Sequence, residues 1–318
     1  MDHQPGNSFD LKGRVLLLAT DGSPSAIAAT RLAGALAERC NTRVQAITVL
    51  DTRPAPIPPP LDLAIKVAGE AVGPGVHAEQ ERAILRGITD ALGREVSWNV
   101  RMALGTPAVA IVHEAQRVDA ALIVLGLRRH SRADRVLHDE TTLSVIRTSP
   151  CPVLGVSEQL GDLPERTLAA MDFTAASLSA ANAVRAITAA DGRLTLAYVP
   201  SLIGDALDDG EGTIHALGVE AGFERAQEQL ARERLSIDHV VLHHPLGGSV
   251  ADALLEYAEG AGVGLIATGS GRPSRLDRWL LGSVSTDLVR DGRCSVLVSP
   301  PTANAAEWTR KWAAARVA

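Results

Sequence analysis

The chain has 318 residues, enough for two domains of ordinary size, and its 46% hydrophobic, 21% charged composition is that of a soluble globular protein. A formal net charge of −6 gives no electrostatic reason to expect nucleic acid or an anionic membrane as the main partner. No apolar run approaches the roughly 20 residues that span a bilayer. Met1 to Asp10 is polar without an apolar core, so no secretory signal is expected. Cys40, Cys151 and Cys294 match no metal-ligand spacing, and a reduced, cytoplasmic setting is the simplest expectation. With only 3% aromatics, the cores must be built from Ala, Val, Leu and Ile, which suits α/β layers.

Taken in order, the chain opens on the apolar run Arg14 to Asp21, which ends in aspartate and is followed by Gly22-Ser-Pro-Ser25 and an Ala-rich helix. The Pro-rich stretch Arg53 to Pro60 and the break Gly73-Pro74-Gly75 read as an irregular insertion. Ala121 to Gly126 is a buried-strand run, and Pro150 to Val156 is another. A linker falls near Ser157 to Pro164, and the pattern then begins again at Arg166 to Asp172, followed by Phe173-Thr-Ala-Ala-Ser177. Gly126 matches Gly269 and Cys151 matches Cys294; 269 − 126 and 294 − 151 are both 143. Leu104-Gly105-Thr106 against Gly247-Gly248-Ser249 repeats that spacing, whereas Asp21 and Asp172 lie 151 apart. Two copies of one unit, about 12–158 and 164–300, therefore precede a tail at 301–318.

Within the second copy, strands are expected at 167–171, 194–199, 238–242, 265–268 and 295–298. Helices are expected at 175–190, about 218–235, 249–260 and 283–290. Ser249 and Ser283 are candidate N-caps, and Gly192 and Gly292 candidate helix stops. Strand-helix alternation implies right-handed crossovers and an open, doubly wound parallel sheet. Ligands of such sheets bind beyond the carboxyl ends of the strands, where Asp21 and Asp172 stand.

The segment from Gly269 to Ser285 has the makings of a phosphate cradle: a glycine at a strand end, a loop, then Gly282-Ser283 opening a helix, with Ser285 adding a hydroxyl. It resembles the universal stress protein signature G-x2-G-x9-G-[S/T], followed by a helix and a small-Cys-Pro-Val-type last strand. The resemblance covers nearly the whole chain and implies two tandem Rossmann-like domains of the adenine nucleotide alpha hydrolase type. In ATP-binding members the aspartate after the first strand and the end of the second strand meet the nucleoside, while the glycine motif holds phosphates and ribose. It therefore implies Asp172 and Val199 on the nucleoside side, and Gly269, Gly282, Ser283 and Ser285 around the phosphates, of ATP with or without Mg2+.

The match departs from the signature at one position. The second signature glycine falls on Arg272, with Gly271 one residue early. Either the loop uses Gly271 and Arg272 gains a charge contact to phosphate, or the arginine side chain blocks the approach. In the first copy Asp139 and Glu140 replace Gly-Ser, satisfy the helix dipole themselves and repel phosphate, so no ATP is expected there. Arg128, Arg129, Arg132 and Arg135 crowd that loop and read as an ion-paired surface or a site for another anion.

Simpler roles stand beside these. Asp21 and Asp172 are also candidate helix caps, and Cys151 and Cys294 suit buried packing better than redox chemistry. His243 and His244, adjacent on a strand, point to opposite faces and do not chelate together, and His113-Glu114 reads as a solvated helix position. Residues 19–25 loosely resemble the loop of ATP-pyrophosphatase-type synthetases. The expected function is a non-enzymatic, nucleotide-binding stress protein acting through protein contacts. The alternatives are a nucleotide-free scaffold or a slow ATP hydrolase, for which no oriented general base is apparent. Pairing of the last strands, as family members do on dimerising, would make the chain an internal pseudo-dimer, with further homodimerisation open. Trp308 and Trp312, four apart, would face one side of a docking helix or lie in a loose tail.

Overall fold

Short, unbroken runs of Val, Leu, Ile and Ala cannot leave one face in water, so each must be covered on both sides. A computed structural model of the chain, described here for residues 9–51, 74–127, 139–200, 211–231, 234–245, 248–270 and 281–301, shows how this is done. The first half runs β1 (Val15–Ala19), α1 (Pro24–Cys40), β2 (Arg43–Asp51), α2 (Pro74–Leu92), β3 (Asn99–Gly105), α3 (Pro107–Arg117), β4 (Ala120–Gly126), α4 (Asp139–Thr148) and β5 (Val153–Val156). The second half repeats it as β6 (Arg166–Ala170), α5 (Ala175–Ile187), β7 (Arg193–Tyr198), α6 (Glu211–Leu230), β8 (Ser236–Val241), α7 (Val250–Ala261), β9 (Leu265–Gly269), α8 (Ser283–Asp291) and β10 (Ser295–Ser299). The insertion at 53–60, the Arg-rich loop and the tail lie outside the described residues, apart from Pro74 and Gly75, which open α2.

The strands form one sheet in the order β3-β2-β1-β4-β5-β10-β9-β6-β7-β8. All neighbours are parallel except the central pair, where β5 and β10 run antiparallel with Leu154 opposite Leu297. Ser157 closes this joint, its backbone N–H donating to Ser295 Oγ at 3.0 Å. Alternation along β1 sends Leu16 and Leu18 into one apolar cluster and Leu17 into the other, and both clusters continue through the joint into the second half. α1, α5 and α6 cover the first face; α3, α4, α7 and α8 cover the second.

Local chemistry sets the helix ends. Ser249 caps α7 in a capping box with Asp252, and Gly292 ends α8 at φ 65°. Two expectations change: Gly282, not Ser283, is the N-cap of α8, and α5 stops at Thr188 before reaching Gly192. Gly192 is small for a different reason, since a Cβ there would lie 2.7 Å from the Glu165 carbonyl oxygen. Glu114 also departs from the solvated position expected of it. It is 1% exposed and accepts from Arg117 (2.7 and 2.8 Å) and from Arg101 on β3 (2.7 Å). The Arg117 hydrogen bond, opposed by burial and helped by the charges of both arginines, holds its pKa below the ordinary glutamate value. Burial raises the Cys151 thiol to about 11 and the Cys294 thiol to about 12, so both are packing residues at neutral pH.

The strand-end glycines are the tightest points of the fold. A Cβ on Gly126 would sit 2.7 Å from the Ala26 nitrogen at the start of α1, and one on Gly269 would sit 2.6 Å from the Ala176 carbonyl carbon at the start of α5. Gly126→Ala is expected to lose about 1–3 kcal/mol in urea melts, whereas Gly87→Ala, in open space on α2, should gain about 0.5–1 kcal/mol. Glu114→Gln is expected to lose about 1–3 kcal/mol at pH 7. A depressed carboxylate stabilises above its unfolded pKa and loses that contribution as pH falls through the folded one, so the gap to wild type should close in acid.

Candidate functional site

The strand order fixes where a ligand fits. In the second half the chain builds outward from β6 through β7 to β8, then crosses back to β9 on the other side of β6. The two crossovers leave in opposite directions at β6 and β9, opening a crevice beyond their carboxyl ends. The pairing of Ala169 with Ala267 brings the residues that follow, Met171-Asp172 and Gly269-Ser270, to the same end of neighbouring strands. Val199 follows the last residue of β7, on the other flank of β6, and is half-buried.

Asp172 is exposed, and it is not the helix cap. Its Oδ1 accepts from the Thr174 backbone N–H at 3.0 Å and the Thr174 hydroxyl at 2.6 Å, while Thr174 itself caps α5 by accepting from Ser177 N–H. Asp21 stands in the same relation to Ser23, accepting its N–H at 3.0 Å while Ser23 caps α1. In each half the aspartate braces the cap from upstream.

At the start of α8, Gly282 offers no side-chain cap, and a Cβ there would meet no heavy atom of the described residues within 4 Å. Ser283 is exposed beside it. Ser285 is turned the other way: the residue is 1% exposed, and its hydroxyl donates to the Gly269 carbonyl at 3.2 Å and lies 3.4 Å from Thr268 Oγ1. It ties the helix to the end of β9 instead of facing the crevice. Gly269 likewise presses on the α5 backbone. Gly271 and Arg272 lie outside the described residues.

Two residues escaped the sequence reading. Ser270 is 3% exposed, donates its backbone N–H to Ser299 O, and its hydroxyl has no hydrogen-bond partner among the described residues. Phe173 adopts φ 57°, a region costly for a bulky side chain, where the first half has Gly22 at φ 74°. Its ring stacks on Tyr198 at 5.6 Å, meets Phe223 edge-on at 5.3 Å, and lies over Gly222, where a Cβ would come within 2.7 Å. The aromatic contacts hold the turn that presents Asp172. The available signal was the alignment of Phe173 with a glycine in the other copy.

His244 donates from Nε2 to the Pro200 carbonyl at 2.9 Å, and no group of three or more His, Cys, Asp or Glu suited to a metal occurs among the described residues. No helix among the described residues is long and apolar enough to cross a membrane.

Comparison with known proteins agrees with this architecture. A universal stress protein of Methanocaldococcus jannaschii is 28% identical over 143 residues, covering 45% of this chain and 81% of that one. The crystal structure of a universal stress protein from Archaeoglobus fulgidus DSM 4304 has a TM-score of 0.63 at 19% identity, covering 93% of this chain and 99% of that one. A putative universal stress protein from Pseudomonas aeruginosa UCBPP-PA14 has a TM-score of 0.55 at 17% identity, covering 94% and 98%. These likenesses show the Rossmann-like fold of the adenine nucleotide alpha hydrolase type in both halves. The profile of the Universal stress protein family matches residues 13–157 and again 164–300, and the chain belongs to that family in a tandem form.

Proposed function

We propose that the chain is a non-enzymatic binding protein that takes ATP or a related adenine nucleotide in its C-terminal half and acts through protein contacts. The observation that carries this reading is the start of α8: an uncapped helix N-terminus on a glycine with open space, joined through Ser285 to the end of β9 at the switch point. Backbone N–H groups and the helix dipole favour anionic oxygens at such a place. Ser283 and the buried Ser270 hydroxyl supply further donors, and Asp172 and Val199 stand on the nucleoside side. Gly269 and Ser285 act by holding the walls of the pocket. Gly271 and Arg272 would complete the phosphate loop, and any Mg2+ would arrive on the phosphates.

In the first half α4 begins at Asp139-Glu140. Two acidic residues at that point of the sequence would favour the helix dipole and oppose phosphate, so one nucleotide per chain is the proposed stoichiometry. Nucleotide occupancy would then alter the surface offered to partner proteins or to a second copy, in the cytoplasm.

One observation favours the rival reading, a nucleotide-free scaffold: Ser285 spends its hydroxyl inside the protein. Native mass spectrometry separates the two, because a retained nucleotide adds its mass while a scaffold leaves the chain bare. In calorimetric titration, ATP is expected to bind once per chain, and Gly282→Asp to weaken it at least about tenfold. Equal affinity for both proteins would remove the proposed site.

A further inference from the structure

One cavity lies away from the carboxyl ends of the strands. It measures about 680 Å3 and lies where the two halves meet, lined by the segment before β1 and the end of α1 from one copy, and by the end of α5 and the residues around Arg234 from the other. In each half this is the amino end of the strands, away from the nucleotide crevice.

Its walls are of two kinds. Among the described residues, Lys12, Arg39, Arg185 and Arg234 line it against one lining carboxylate, Asp10. Arg39 reaches across the junction and donates to the Ala186 and Thr188 carbonyls at the end of α5. Arg185, 6% exposed, donates to the Leu230 carbonyl at the end of α6. Arg234 meets Asp191 at 2.8 Å. The carbonyl oxygens at helix C-termini hold guanidinium groups by their dipoles and carry no full charge, so among the described residues the cations outnumber Asp10 and Asp191 around the space. Most of the remaining wall is apolar, with Phe9, Leu11 and Leu235, beside the polar Asn41 and Thr188.

We propose that this junction cavity is a second ligand site, for a small organic anion whose carboxylate, sulfonate or phosphate head meets Lys12, Arg39 and Arg234 and whose apolar body lies against Phe9 and Leu235. The volume falls in the range of small-molecule sites, and a mostly apolar wall with a few convergent charges is how such sites fix orientation. Because both copies contribute walls, an occupied site ties the halves together. It is independent of the nucleotide proposal.

The test uses the full chain and the fluorescent anion 8-anilinonaphthalene-1-sulfonate. One probe per chain should bind with blue-shifted emission, be displaced by octanoate, and be unaffected by saturating ATP or by Gly282→Asp. The double variant Lys12→Glu/Arg234→Glu, on exposed side chains, should bind at least about tenfold more weakly while keeping the wild-type circular dichroism. If the double variant does not fold, Lys12→Glu alone should weaken binding at least about threefold. Unchanged affinity in the folded charge-reversal protein, displacement by ATP, or displacement by inorganic phosphate but not octanoate would overturn the assignment.

Discussion

The antiparallel pairing of β5 with β10 is the constraint on which the rest depends. Each half alone would end in a short, apolar, exposed edge, since every residue from Val153 to Val156 is buried in the complete sheet. An unpaired edge of that kind invites association. Pairing the two edges closes both, and the Ser157–Ser295 contact gives the last backbone donor a partner where the ladder ends. The apolar clusters on the two faces become continuous, so the halves share a core instead of touching across an interface. The pairing also brings Arg39 within reach of α5 and encloses the junction cavity.

Much of this architecture was legible in the sequence. Unbroken apolar runs such as Ala120 to Leu125 allow only strands buried on both faces, and the constant spacing of 143 residues between matching islands exposes the duplication. The switch point of the strand order was legible too, because an aspartate follows the first strand of the second half and a glycine ends its fourth. Orientation was not. Ser283 and Ser285 look alike as neighbours of Gly282, yet a helix turns two residues through about 200°, so one faces out and the other into the end of β9.

The other misses share that cause. Glu114 next to His113 on a helix looks solvated, and only the placement of β3 beside α3 brings Arg101 to it across 13 residues. Asp172 looks like a cap until the loop geometry gives that task to Thr174. The strained backbone of Phe173 follows from partners on β7 and α6, far along the chain. Gly269 reads as a ligand-approach glycine, but its nearest constraint is α5, the first helix of its own half, and Gly126 stands the same way against α1.

Covalent duplication has a consequence for symmetry. Two identical subunits joined by their last strands must change together, since any substitution appears on both sides of the axis. Here the equivalents of a single ancestral position are separate residues, as Gly22 and Phe173 or Asp139 and Gly282 show. Each half is therefore free to change without the other, and the shared sheet holds the two unlike halves at a fixed one-to-one ratio that no dissociation equilibrium disturbs.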